Sequence, residues 1–472
     1  MKAEEFRKLG IPVCREVDVL VVGGGTAGPV AAVAAARAGA DTLIIEDLGF
    51  LGGTQTGAMV TPQMPNVIAG QPLNTGIDYE INLRLASTGA GSTYRDGNAG
   101  WFDPEMLKCI LDDLLAESGA KVRFFTRFED VIIDAGKVVG VIVLSKSGRQ
   151  AITAGCIIDC SGDGDVAFRA GVSYETGDER NGRNQPMSVR FNLANIDIAR
   201  LSLFLETLGS FDKHLSASGS SIPLIHTAMV WGGGWPLELV FKDAVKAGVI
   251  KESDGNYFQI FTVPGRPGEL AFNCPRISDH TDGTNVDHLS SAMRSGRQAI
   301  RRYADFCRRF LPGCENSYVS CSAVIPGVRE TRRIMGLYQL TTEDVLAARK
   351  FADAVARCNY PVDVHRDPGE EGGGLTHIPA GDYYEIPYRC LVPEQIDNLL
   401  VAGRCLSATF EAQASARIQP VCRALGEAAG VAAALSLKFG ISPAELDGVK
   451  LRRELVTRGA SLELSPNKET HS

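Results

Sequence analysis

The sequence predicts an α/β fold. Its main part is a doubly wound, Rossmann-like sheet for a dinucleotide, with an inserted antiparallel meander, and a second, α+β domain follows. Three observations predict it. A complete strand–glycine turn–helix–strand unit opens the chain between Val17 and Asp47. Short apolar runs closed by glycine turns recur at Ile157–Cys160 and Asn398–Ala402. Between them, from about Tyr174 to Ile386, the pattern changes to strands mixed with long helices.

The first observation has the most physical content. The run Val17–Val22 meets Gly23-x-Gly25-x-x-Gly28, the small-residue segment Ala31–Ala38 follows, and a second run, Thr42–Ile45, ends in Glu46. Strand, turn, helix, strand and terminal acid in that order form the fingerprint of a dinucleotide-binding βαβ unit. Gly23 permits the tight turn, Gly25 lets a pyrophosphate approach the backbone, and Gly28 lets the helix lie close to the sheet. The helix N-terminus offers unpaired N–H groups and the positive end of its dipole to the phosphates. Glu46 is placed to accept hydrogen bonds from the adenosine ribose.

At 472 residues the chain exceeds one ordinary core. The expected division is a dinucleotide domain over 1–173, a substrate domain over 174–386, and the remainder of the first domain over 387–472. Hydrophobic content of 44% and charged content of 22% are those of a globular enzyme. A formal net charge of −8 argues against broad nucleic-acid or anionic-membrane binding. No uninterrupted apolar run approaches the length of a membrane span. The segment MKAEEFRKLGIPVCREVDV lacks the apolar centre of a signal peptide, so a cytoplasmic location is expected. The 12 cysteines are scattered without C-x-x-C or zinc spacing, and are read as reduced, buried, small apolar side chains. The final SPNKETHS is polar and expected to fray.

The remaining elements follow in order. Gly49–Pro65 centres on LGGTQTG, a turn or close backbone approach. Asn66–Gly100 is irregular. A helix starts at Asp103-Pro104, a preferred cap and first-turn pair, carries Leu107, Ile110, Leu111 and Leu114 at helical spacing, and stops at Gly119. Asp130–Thr153 predicts a three-stranded antiparallel meander, and Ile157–Cys160 a return strand opening into SGDGD. In the second domain, Ser188–Asn192 and Tyr257–Val263 predict strands, and Ser290–Phe310 and Thr342–Ala356 helices. Pro420 opens a small-residue helix over Val421–Leu437.

These segments carry a family likeness. GGGTAGPVAAVAAARAGADTLIIE, LGGTQTG, IIDCSGDGDVAFRAG, GVRETRRIMGLYQLTTEDVL and DNLLVAGRCLSATFEAQASARIQPVCRALGEAAGVAAAL resemble, in order, the FAD-dependent oxidoreductases of the glutathione-reductase-like class. More narrowly, they resemble the FAD-dependent oxidoreductase family related to fumarate-reductase flavoproteins. The resemblance implies FAD as cofactor. It implies that Gly23, Gly25, Thr26, Ala27 and Gly28 wrap the pyrophosphate and that Glu46 holds the ribose. Gly52, Gly53 and Thr54 would line the flavin side, Val131 would meet adenine through its backbone, and Gly162 and Asp163 would lie beside the dinucleotide. Gly403 and Arg404 would sit near the ribityl chain, where many distant relatives carry an acid. Arg417 and Ile418 would bring the helix after Pro420 to the flavin, whose reduced, anionic edge its positive end would favour. Phe410 stands where close relatives often show His.

No cysteine pair follows the first unit, which argues against dithiol chemistry, and no second glycine fingerprint for NAD(P) appears between 170 and 385. Candidates for catalysis are His377, Tyr384 and Arg333. His377 follows the glycine-rich stretch GEEGGGLTHIPAGDYYEIPYR, together with Tyr383 and Tyr384, and Arg333 stands with Arg329 and Arg332 in RETRR as a guanidinium clamp. His226 is a lesser candidate, and the arginines around Arg294–Arg309 are read as a solvated face. No metal site is expected. The expected reaction is hydride transfer between flavin N5 and a small hydroxy, keto or unsaturated acid or sugar-like molecule, with a redox-neutral flavoenzyme or a monooxygenase as alternatives. The expected partners are that substrate and an electron donor or acceptor of unspecified kind, with no nucleic acid; a homo-oligomer is left open.

Overall fold

Short β-branched runs that are apolar on both faces become the centre of a sheet buried on both sides. In the computed structural model, which describes residues 1–94, 97–209, 215–216, 226–229, 237–279, 281–366 and 372–462, β2 and the second half of β1 are such runs, in a sheet of β1 (Val13–Val22), β2 (Thr42–Ile45), β3 (Lys121–Arg123), β4 (Arg127–Asp134), β5 (Lys137–Ser145) and β6 (Gly148–Asp159). They neighbour one another in the order β3-β2-β1-β6-β5-β4, and the later strand Leu399–Val401 pairs with β6. Pairings among β3, β2, β1, β6 and Leu399–Val401 are parallel, and those of β6 with β5 and β5 with β4 antiparallel. The fold is thus mixed α/β. The expected third meander strand and return strand are one continuous strand, β6. Ala154 and Cys156 stay in register with Val17 and Val19 of β1, so the intervening Gly155 does not break it.

Alternate residues feed two cores. Val19, Val21, Ile44, Cys156, Ile158 and Leu400 point to a layer made with α1 (Gly28–Arg37), α2 (Pro104–Ser118) and a long C-terminal helix. Leu20, Val22, Leu43, Ile45, Ile157 and Val401 point the other way, against Val131, Val138 and Val141 of the meander and Val166 and Ala167 of α3 (Asp165–Ala170). The sheet therefore carries its long helices on one face, and the meander with one short helix on the other, where winding on both faces was expected. The cap reading of α2 holds: Asp103 accepts from the Glu105 amide, and Gly119 ends the helix at φ 80.

A second core gathers Met187 through Ala323. Its sheet contains β7 (Phe191–Ala194) and β8 (Phe258–Thr262), with Leu270–Phe272, Tyr318–Ser322 and His226–Met229. It is backed by α4 (Val286–Phe310), which starts before the predicted Ser290 because Asn285 caps it. Arg302 of α4 is not on a solvated face but pairs with buried Asp254 at 2.6 Å. The helix expected over Thr342–Ala356 stops at Leu346, since Ala348 takes φ 50, and Ala354–Cys358 is instead a strand paired with Tyr384–Pro387. β9 (Val362–Val364) and β10 (Gly374–Thr376) form a hairpin. The chain returns through Leu399–Val401, labelled β11, to α5 (Gln419–Phe439). SPNKETHS lies outside the described residues, and His226 is described as strand backbone only.

By length and composition α5 could cross a membrane, but 89% of its apolar window is buried inside the protein. It packs on α1 at backbone contact. A Cβ on Gly426 would lie 2.3 Å from the Ala27 oxygen, and one on Gly430 2.2 Å from that of Ala31. Two glycines four apart against two alanines four apart let the helix axes approach closely, which brings the N-termini of both helices to the same edge of the sheet.

Candidate functional site

The carboxyl ends of β1, β2, β6 and β11 share one edge, and the residues that follow each of them line a cleft of about 390 Å³. Gly23, Gly25, Thr26 and Ala27 follow β1, and Glu46 follows β2. Cys160, Gly162 and Asp163 follow β6, and Ala402, Gly403 and Arg404 follow β11. Such an edge is where open α/β sheets bind ligands. Gly53 and Thr54 close one side, held by the Gly52 amide donating to Gly24 O at 2.8 Å.

The physical roles differ within the glycine turn. A Cβ on Gly25 would meet only Cys160 O, at 3.8 Å, so this residue faces the open cleft, whereas a Cβ on Gly28 would lie 1.9 Å from Gly23 O. Gly28 is a packing residue one layer behind the cleft, and so is Gly52, whose Cβ would meet Thr56. No side chain caps the N-terminus of α1, which leaves its amides to a ligand. Glu46 accepts from the amides of Gly24 at 2.7 Å and Leu48 at 2.8 Å, one oxygen each. Each oxygen keeps a lone pair for a hydroxyl; burial raises the Glu46 pKa. Arg404 pairs with Asp163 at 3.1 Å, which joins the residues following β11 to those following β6.

The cleft runs into a second space of about 220 Å³. Thr26, Thr54, Val328, Arg404 and Cys422 border both. This inner chamber is lined by side chains from separate segments: Arg190, Tyr257, Gln259, Asn273, Arg329, Tyr360, Asp363, His365 and Arg417, with Ile418 and Gln419 at the uncapped N-terminus of α5. Gln419 donates to Val60 O at 2.6 Å, which ties that helix end to the segment after LGGTQTG.

Asp363 is the hub. It accepts from the Tyr360 hydroxyl at 2.9 Å, faces His365 Nε2 at 3.2 Å, and lies 3.8 Å from Arg417. The other imidazole nitrogen, Nδ1, faces an Arg276 Nη at 2.8 Å. With a guanidinium on Nδ1, the proton belongs on Nε2. Burial and the Arg329 charge push the His365 pKa down to about 3, so the ring is neutral. Burial opposes ionisation of Asp363, but the His365 hydrogen bond and the Arg417 charge hold it below the usual carboxylate range. Arg190 is pushed down to about 10 by burial, and Arg329 falls well below its usual value through burial and the neighbouring Arg276, Arg417 and Arg190 charges.

The three expected catalytic residues do not line the chamber. His377 is exposed, beyond the end of β10. Tyr384 is fully buried, its hydroxyl 2.8 Å from Ser415 Oγ. Arg333 is buried against Glu330 and donates to Ala408 O at 3.0 Å. Extended backbone sends the RETRR arginines different ways. Arg329 alone faces the chamber, while Arg332 pairs with Asp165 at 2.8 Å. Val131 is also off the cleft: it is buried in the meander and its carbonyl takes the N-terminal amine at 3.0 Å. Arg417 and Ile418 line the chamber rather than the cleft. The residues missed are Arg190, Tyr257, Tyr360, Asp363 and His365. One local signal existed: Asp363 and His365 stand two apart on an extended segment and so share a face, at the strand paired with the one that His377 follows.

A family model described as FAD dependent oxidoreductase matches residues 18–455. Digeranylgeranylglycerophospholipid reductase 1 of Methanopyrus kandleri is 31% identical over 152 residues, covering 31% of this chain and 40% of that protein. A thiamine thiazole synthase of Methanococcus aeolicus is 35% identical over 164 residues, 32% of this chain and 57% of its own. The chain thus matches only about half the length of these curated relatives. Among solved structures, a geranylgeranyl bacteriochlorophyll reductase-like protein from Thermoplasma acidophilum superposes with a TM-score of 0.46 at 14% identity, covering 94% of this chain and 83% of that one.

Proposed function

We propose that this chain, which belongs to the FAD-dependent oxidoreductase family, holds FAD along the cleft and exchanges a hydride with a small polar substrate in the inner chamber. The finer kinship, with the glutathione-reductase-like class and its fumarate-reductase-type flavoproteins, is part of the same reading. So is the division into an FAD part (1–173 and 387–472) and a substrate part (174–386).

The residues fit the cofactor. Uncapped amides after Gly25 meet the diphosphate, Glu46 meets the adenosine ribose, and Asp163 with Arg404 stands beside the chain leading inward. Bound FAD supplies a two-electron carrier that takes a hydride at flavin N5. The protein's residues do the rest. The positive end of α5 faces the junction of cleft and chamber and favours negative charge there. Arg190, Arg329 and Arg417 hold polar substrate groups, and Asp363 aims Tyr360, His365 and Arg417. His365, fixed on both nitrogens, is a positioning residue rather than a free base.

One observation supports this most: cleft and chamber adjoin, with five bordering residues in common. A dinucleotide-binding edge therefore opens onto a set of polar side chains, as a flavin enzyme requires. The test is anaerobic spectroscopy of the purified yellow protein with a panel of small hydroxy, keto and unsaturated acids and polyols. Bleaching of the oxidised flavin band by a hydroxy acid or polyol, or return of that band when a keto or unsaturated acid meets the chemically reduced flavin, is the expected result. Turnover without bleaching would point to a redox-neutral reaction, and oxygen uptake that requires NAD(P)H to a monooxygenase.

A further inference from the structure

Buried guanidinium groups need a counter-charge, because an unpaired ion in a low-dielectric interior is strongly disfavoured. Elsewhere in this molecule Arg333, Arg366 and Arg423 are buried against Glu330, Asp178 and Asp78, while Arg357, alone in its place, has the Ser461 carbonyl and the Tyr383 ring in place of a carboxylate. The inner chamber differs in gathering several guanidiniums at one space. Arg190 is 5% exposed, its hydrogen bond goes to the Met59 carbonyl at 3.4 Å, and its Nε has no partner. Arg329 donates to the Pro186 carbonyl. Neither has a carboxylate within ion-pair distance among the described residues. Arg417 has Asp363 at 3.8 Å and leaves its Nε unpartnered.

Asp363 is the one carboxylate lining this space, against four guanidiniums, of which Arg404 is already paired with Asp163 of the cleft. The other three, Arg190, Arg329 and Arg417, against one carboxylate leave two positive charges uncompensated. His365 adds none, since its Nδ1 faces Arg276, and Arg276 itself adds a further cation behind the Tyr257 ring, 4.8 Å from its centroid. The neighbouring Arg276, Arg417 and Arg190 charges disfavour the charged form of Arg329, and negative charge entering the chamber opposes that effect.

Resting on the function proposed above, we infer that the substrate of this chamber is a small organic dianion, its two negative groups taken by Arg190, Arg329 and Arg417. A neutral polyol would leave two buried cations unpaired, and a monoanion one. Guanidinium forks match carboxylate and phosphate oxygens in pairs, which makes a dicarboxylate or a phosphorylated acid of a few carbons the fitting class. The volume of about 220 Å³ excludes long chains.

The test uses the FAD-loaded enzyme and two readouts, perturbation of the flavin absorption band and calorimetric titration. The probes are malonate, succinate, glutarate and phosphoglycolate, against acetate, propionate and glycerol. Dianions are expected to bind at least about tenfold more tightly than monocarboxylates of similar length, with glycerol silent. Succinate against phosphoglycolate tells which second anionic group is preferred. Arg190→Gln and Arg329→Gln are each expected to weaken dianion binding about tenfold or more, and Arg190→Lys and Arg329→Lys to restore part of it. The wild-type series stands by itself should a Gln variant fail to fold. Equal binding of glycerol, acetate and succinate overturns the inference. So does a pair of Gln variants that shift the flavin midpoint potential yet bind dianions unchanged, since the charge would then serve the cofactor alone. Either result leaves the flavin function standing; a protein that takes up no FAD defeats both.

Discussion

The two ends of the candidate site are built from different materials. At the end proposed for the dinucleotide the available groups are mainly backbone: a glycine turn, an uncapped helix start, and one carboxylate at a strand end. At the chamber end they are side chains, and charged ones, brought from segments as far apart as Arg190, Tyr257, Arg329, Asp363 and Arg417. A backbone site needs particular residues to be small at fixed spacing. A side-chain site needs particular residues to be present, at any spacing the fold can bring together. The first kind constrains sequence locally and the second does not.

That contrast is sharpest within the glycine turn itself, where the largest effect is expected. Gly25→Asp puts a Cβ into space bounded only by Cys160 O at 3.8 Å, so the fold tolerates it, while the carboxylate enters the cleft where a diphosphate would lie. The protein should purify folded and colourless, as read by circular dichroism and visible absorbance; a yellow Gly25→Asp protein at full FAD occupancy would remove the cleft assignment. Gly430→Ala does the opposite, touching no cleft atom but placing a methyl 2.2 Å from the Ala31 oxygen. Forcing α1 and α5 apart should cost about 1–3 kcal/mol of stability, measured from denaturant midpoints, with FAD affinity falling because both helix starts shift.

The same contrast explains what was legible. The βαβ unit, the cap of α2 and the return strand β11 could be read because each rests on a local rule: period, cap or glycine spacing. About half of the cleft residues could be named, those of the glycine turn by that spacing and the rest by the family likeness. Val131, named through the family likeness, does not line the cleft, and which backbone groups face it leaves no mark on residue type. Arg333 and Tyr384 carried plausible chemistry, but their direction depends on packing, and each ends in a buried structural bond, to Glu330 and Ser415 respectively. Thr342–Ala356 looked helical by composition, yet a capped turn ends at Ala348 and the chain is drawn into pairing with Tyr384–Pro387. The chamber was invisible because no spacing rule links Arg190 to Asp363.

A smaller effect probes the one side chain on which the dinucleotide end depends. Glu46 already satisfies two backbone amides, so Glu46→Ala loses those bonds as well as any to the ribose. FAD affinity should fall by about 1–3 kcal/mol, the scale of a charged hydrogen bond, in a fluorescence titration of the apoprotein. Unchanged affinity would mean the ribose lies elsewhere. The turn should survive, since Gly52 still bonds Gly24 O.

The smallest effect concerns the chamber's fixed charge. His365 has an ordinary pKa of 6.5 lowered to about 3 in the folded protein. As pH falls below 6.5 the unfolded chain takes a proton that the folded chain refuses, so this residue withdraws stability at up to about 1.4 kcal/mol per pH unit until about pH 3. Glu330 and Glu427, raised to about 7 by burial, act oppositely in this window: the folded chain keeps protons that the unfolded chain loses above 4.5. Total stability therefore does not isolate the effect, and the comparison needed is wild type against His365→Gln. The stability difference between them should shift against wild type as pH falls from 7 to 4.5, and the His365 ring signal in an NMR titration should stay at its neutral position throughout. A ring that titrates near 6.5 would mean that Arg276 does not hold Nδ1, and the chamber would then gain positive charge in mild acid instead of keeping a constant excess of two.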